Sequence, residues 1–135
     1  MNNIELEIKV KSICHSLVYE KGYISSVDVL MKLEYLNKKG YEDWRFGRVP
    51  YLERVCNTNL SKLTLINSLI KKFANELKLK GSITEYHKHS GKVKRKLQFS
   101  KSGDSKIEKL YSTHYLDLVR IDELRNNKVV NEVPL

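Results

Sequence analysis

The hydrophobic positions along the chain follow a helical period first and an alternating one later. Ile4, Ile8, Ile13 and Leu17 recur near helical spacing, and Val10, Cys14 and Val18 widen the stripe, which predicts an amphipathic helix over residues 4–20 closed by Gly22. Tyr23 and Ile24 suit a very short strand. Ser25 or Ser26 then caps a second helix, with Asp28 in its first turn and Val27, Leu30, Met31 and Leu33 on its inner face, and residues 37–40 end it. A helical turn over residues 41–46 and a short helix over 50–56, opened by Pro50, lead to the longest helix, 60–79. Its stripe is Leu63, Ile66, Ile70, Phe73 and Leu77, and Gly81 stops it.

At Ser82 the period changes. Residues 82–89 and 92–100 alternate and are rich in β-formers, with Ser90 and Gly91 between them, which predicts a hairpin. A three-residue loop sets Ile83 opposite Phe99, Glu85 opposite Leu97 and His87 opposite Arg95. Ile83, Val93, Leu97 and Phe99 then share an inner face, and Tyr86, Lys88, Lys94 and Lys96 an outer one; a two-residue loop would scatter the apolar set. Asp104 or Ser105 caps a last helix whose inner face is Ile107, Leu110, Tyr111, His114 and Leu118. The expected architecture is one mostly helical α+β domain over residues 1–125, with five to six helices and one basic β-hairpin, followed by a flexible tail, 126–135.

The length of 135 residues suits a single domain, and the 41% hydrophobic and 30% charged fractions are those of a globular chain. No apolar run approaches the roughly 20 residues of a membrane span. The first residues have neither the basic nor the apolar region of a secretory signal, so the expectation is a cytoplasmic protein without a membrane partner. Cys14 and Cys56 sit alone in helical patterns and read as small buried hydrophobes, and no pattern calls for a metal or cofactor.

The net charge of +9 becomes informative when divided along the chain. Residues 1–70 hold ten Lys and Arg against eight Asp and Glu; residues 102–135 hold five against six. Residues 71–101 hold ten against only Glu76 and Glu85. Such concentration favours a polyanionic partner. Lys88, Lys92, Lys94, Arg95, Lys96 and Lys101 are the candidate phosphate contacts, and Asn59, Lys62, Asn67, Lys71 and Lys72 of the long helix the candidates for a groove. Lysines protecting an exposed strand edge are the structural alternative.

The order helix, short strand, helices, basic hairpin, together with Gly22-Tyr23-Ile24-Ser25-Ser26-Val27-Asp28-Val29-Leu30, resembles a winged helix-turn-helix over residues 4–100. That resemblance implies a recognition helix in the major groove and a wing on the backbone, with DNA favoured over RNA and a homodimer compatible with paired half-sites. The stretch 41–56 is longer than the tight turn of that family. Residues 41–54, 99–104 and 111–115 also resemble a family of small bacterial proteins of uncharacterised activity.

Residues 41–54 gather Trp44, Phe46, Tyr41 and Tyr51 with Arg45, Arg48 and Arg54. They predict either an anion-binding or protein-docking surface centred on Trp44, Arg45, Arg48 and Arg54, or an aromatic plug whose arginines pair with Glu42, Asp43 and Glu53. Three readings of function remain at this point. The first is a nucleic-acid-binding regulator or accessory subunit. The second is an interaction module, such as an antitoxin or a phage- or plasmid-encoded adaptor, docking on an acidic protein. The third is a metal-independent ribonuclease using His87, His89 and His114.

Overall fold

The computed structural model describes residues 1–89 and 91–132, with 128–132 as backbone alone. It is α+β and mostly helical, with six α-helices, one 3-10 turn and a three-stranded antiparallel sheet among those residues. No helix is long and apolar enough to cross a membrane.

Helix α1, Asn3–Lys21, opens on a reciprocal cap: the Glu5 amide donates to Asn2 Oδ1 at 2.8 Å, and Glu5 Oε2 accepts from the Asn2 amide at 3.3 Å. Its buried stripe is Leu6, Val10, Cys14 and Leu17. Ile4 and Ile8 are 72% and 67% exposed, so the expected stripe is rotated, because the 4-4-3 spacing starting at Leu6 holds one face more closely. Gly22 ends the helix at φ 82°, and a Cβ there would lie 2.5 Å from Ile121 Cγ1, so only glycine lets the C-terminal helix cross.

Strand β1, Tyr23–Ile24, leads to α2, Ser26–Lys32, capped by Ser25. Glu34 takes φ 65° and Tyr35 and Leu36 both donate to the Leu30 carbonyl, which closes α2 well before residues 37–40. Asn37 instead caps a new helix, α3, Lys38–Arg45, accepting from the Gly40 amide at 2.7 Å. The expected helix over 50–56 is only a 3-10 turn, Leu52–Val55. Asn59 caps α4, Leu60–Glu76, which lies along α1, and Lys78 at φ 56° ends it before the expected Leu79.

Strand β2, Lys80–Ile83, precedes the basic segment; α5, Ser105–Ser112, is capped by Asp104. Residues 113–116 were expected to continue that helix. They form β3, Thr113–Leu116, the centre of the sheet, ordered β1-β3-β2. Tyr115 faces Ile24 on one side and Gly81 on the other. Helix α6, Leu118–Glu132, follows, so residues 126–132 are helical rather than the expected loose tail, and 133–135 lie outside the described residues.

Residues 82–101 double back, but not as the regular hairpin their alternation predicts. β2 spends its hydrogen bonds on β3, and the two limbs share one bridge, His87 with Lys96, flanked by Lys88 N to Arg95 O and Leu97 N to Tyr86 O. That register is one residue away from the expected one. Leu97 and Phe99 stay inside, Tyr86 joins them against Trp44 and Phe99, and Ile83 and Val93 are exposed.

The returning limb is fastened elsewhere. The Gln98 carbonyl accepts from the Leu52 amide at 3.1 Å and from Trp44 Nε1 at 2.8 Å. Glu108 of α5 accepts from the Phe99 amide, the Ser100 amide and Ser100 Oγ at 2.6–2.9 Å. Glu53 accepts from the Lys101 amide and the Tyr111 hydroxyl, both at 2.8 Å. Phe99 and Ser100 are buried, so donors orphaned there carry their full desolvation cost. Glu108→Ala is expected to lower unfolding free energy by about 3 kcal/mol in urea titration, and Glu108→Gln by clearly less. A loss below about 1 kcal/mol in the alanine variant would show that the clasp is dispensable.

Candidate nucleic-acid interface and the cavity beneath it

The basic loop, residues 84–97, rests on the end of α3. The His89 amide donates to the Arg45 carbonyl at 2.8 Å, and the His89 ring meets Phe46 edge-on. Gly47, at φ 73°, is a second point of close approach: a Cβ there would lie 2.7 Å from Arg95 Nη2 and 3.0 Å from Lys88 Cε. The Arg95 guanidinium and the Lys88 stem therefore lie directly on the helix end. Arg48 follows Gly47 in sequence, and its guanidinium lies 5.2 Å from the centre of the Phe46 ring.

Lys88 is half-buried, and Lys92, Lys94, Arg95, Lys96 and Lys101 are exposed. Lys96 lies 3.7 Å from Glu85, a loose surface pair that contributes little. Lys88, Lys92, Lys94, Arg95 and Lys101 form no ion pair among the described residues. Apart from the loose Lys96–Glu85 pair, these cations belong to no salt-bridge network among the described residues.

The three arginines of residues 41–54 separate. Arg48 pairs with Asp43 at 3.0 Å; Lys39 first, and Arg48 after it, hold the Asp43 carboxyl below its ordinary range. Arg45 turns inward and meets no carboxylate: Nη1 donates to the Tyr41 hydroxyl at 2.9 Å, Nη2 to the His87 carbonyl at 3.4 Å, and Nε is buried without a partner. Arg54 is exposed on the 3-10 turn, and Glu53 is committed to Lys101 and Tyr111. The expected pairing with Glu42 and Glu53 is thus absent among the described residues. Trp44 is 1% exposed, packed on Tyr41, Tyr86 and Phe99, so it is a plug and not a docking anchor.

The long helix offers less than expected. Asn67 is buried, its Oδ1 accepting from Ser26 Oγ at 2.8 Å, and Asn59 is spent on its cap. Lys62 donates to the Met1 carbonyl and Lys72 pairs with Glu7. Lys71 instead lines a cleft of about 480 Å³ with Lys106, Lys109 and Tyr115.

Under the stem of the loop lies a cavity of about 510 Å³ that sequence reasoning missed, assembled from residues of α1, β1, α2, α3, the loop stem and β3. Its walls include Tyr23, Tyr41, Tyr86, His114 and Arg45, with Lys21, Ser25 and Asp28 as the polar side. Asp28 Oδ2 accepts from Lys21 Nζ and Ser25 Oγ, both at 2.9 Å. The Tyr86 hydroxyl lies 3.0 Å from His114 Nε2, and the Tyr23 ring stacks on the imidazole at 5.3 Å. Of His87, His89 and His114 only His114 lines this cavity, and His87 is drawn to Glu85 at 3.5 Å, so the three do not form one acid–base site. No group of three metal-ligating side chains is gathered among the described residues.

Burial lowers the His114 pKa below 6.5, Lys21 adds to that, and Asp28 opposes it. A depressed imidazole pKa means that the unfolded chain binds the proton more readily, so stability from this group is complete above about pH 6.5 and is lost as pH falls through the folded-state value. Thermal melts from pH 7 to 5 should show a loss of stability that is shallower in His114→Gln; parallel curves would contradict the burial of His114 as a neutral imidazole. Gly47→Ala should weaken the seating of the loop, read as greater proteolytic nicking between Lys88 and Lys96, whereas unchanged cleavage would mean that the close approach is not required. No family model matches the chain, and neither a curated protein nor a solved structure matches it.

Proposed function

We propose that this protein binds nucleic acid, gripping phosphates with the loop of Lys88, Lys92, Lys94, Arg95 and Lys96 where it rests on Gly47 and Arg48. The observation that carries the reading is a cluster of cations whose one acidic partner among the described residues is Glu85, loosely paired with Lys96, on a limb held in place by a clasp of buried hydrogen bonds. Phosphates are partners of the right charge and spacing, and each contact would release counterions. Such a grip positions the protein without reading sequence.

A winged-helix arrangement belongs to the same proposal. The sheet order with β3 between β1 and β2 supports it, and residues 84–112 would then be an enlarged wing. The exposed face of α4, with Ser61, Thr64, Ser68 and Lys71, would be the second contact. Residues 33–59, which hold α3 and the 3-10 turn between α2 and α4, depart from the compact form of that fold. A regulator or accessory subunit working in the cytoplasm fits this reading.

The experiment is the salt dependence of binding to DNA and RNA oligonucleotides. The logarithm of the binding constant should fall linearly with the logarithm of salt concentration, and alanine at Lys94, Arg95 and Lys96 together should flatten the slope by about two to three units. An unchanged slope in that triple variant would refute the assignment of the loop.

A further inference from the structure

The cavity beneath the loop has a composition unlike the loop itself. Lys21 and Arg45 line it beside Asp28 and Glu85, so its formal charges cancel. A bare phosphate gains nothing from such a site, because the two carboxylates offset what the two cations offer. Its apolar surfaces are the aliphatic Val27 and Met31 and a set of rings: Tyr23 and His114 stacked at an interplanar angle of 7°, with Lys21 Nζ 5.2 Å from the Tyr23 ring centre, Tyr86 at 66° to the His114 ring, and Tyr41. The Arg45 guanidinium stands 5.1 Å from the Tyr86 ring centre and 5.8 Å from that of Tyr41, adding a planar cation to the aromatic set. The volume falls within the range of small-ligand sites.

The polar side is specific as well. Asp28 Oδ2 is occupied by Lys21 and Ser25, while Oδ1 has no hydrogen-bond partner among the described residues. A carboxylate oxygen beside an ammonium presents an acceptor next to a donor. That pair matches the edge of a nucleobase, where an exocyclic amino or ring N–H lies beside a carbonyl or ring nitrogen. Thr84, Glu85 and Tyr86 belong both to the cavity wall and to the stem of the basic loop, two residues from Lys88.

We infer that this cavity takes one unpaired nucleobase of the strand whose phosphates the loop holds, stacked against the Tyr23, Tyr86 and Tyr41 side and recognised on its edge by Asp28 and Lys21. The inference rests on the phosphate grip proposed above and narrows its substrate to single-stranded or locally opened nucleic acid, since a paired base is held in its stack.

The test compares, by fluorescence anisotropy at one salt concentration, a short single-stranded oligonucleotide, the same strand with abasic sugars, and a blunt duplex. The base-bearing strand should bind about tenfold more tightly than the abasic strand, the increment of stacking one base. Tyr23→Leu and the isosteric Asp28→Asn should each erase most of that difference while leaving the salt slope unchanged. Circular dichroism establishes that the variants fold, and Asp28→Asn carries the test should Tyr23→Leu not fold. Equal binding of base-bearing and abasic strands, with the steep salt slope intact, overturns the cavity assignment and leaves the grip standing. Absence of salt-dependent binding to all three overturns both. Binding of a free nucleoside monophosphate as tight as that of the strand overturns the assignment to a base of a polynucleotide.

Discussion

The structure depends on how the returning limb of the basic loop, residues 98–100, is fastened. That limb has no strand to pair with, because β2 gives its hydrogen bonds to β3. Its backbone is satisfied instead by Trp44, Leu52 and Glu108, and Glu53 extends the clasp to Lys101 and Tyr111. Phe99 fills the space between, stacked on Tyr111 and tilted against Trp44. One short limb thereby joins α3, the 3-10 turn and α5, and the aromatic plug and the basic loop become parts of one body.

The clasp also explains how so much like charge is held together. Two exposed cations about 8 Å apart repel by roughly 0.5 kcal/mol in water, and salt reduces this further. A buried network whose donors each cost about 1–3 kcal/mol if orphaned outweighs several such pairs. The loop can therefore stay basic with Glu85 as its one acidic residue. Elsewhere Lys39 and Arg48 meet Asp43, Lys72 meets Glu7 and Lys21 meets Asp28, leaving a scaffold near neutrality with one cationic element.

What could be read from the sequence was mainly local. Ser25 and Asp104 act as the caps their side chains suggest, and the division of charge along the chain locates the basic element. Asn37 was misread as a terminator because an Asx residue serves a helix start as readily as a turn. Strand β3 escaped notice because Tyr111, His114 and Leu118 keep a near-helical spacing through it, and its strand identity comes from two distant partners. The one-residue slip in the loop has the same origin: the alternation of residues 93–99 does not reveal that β2 is committed elsewhere. Asn67 looks like a surface residue until Ser26, 41 positions away, is brought to it. The cavity was invisible for the strongest form of this reason, since its walls come from residues 21 to 114.

The most direct test of the account is amide chemical-shift mapping while a short single-stranded oligonucleotide is added to the labelled protein. The account predicts the largest shifts at Gly47, Arg48, Lys88 and Arg95, with Tyr23 and Asp28 moving along the same titration. Shifts centred on the exposed Ile4 and Ile8 face of α1, with the loop amides still, would contradict it.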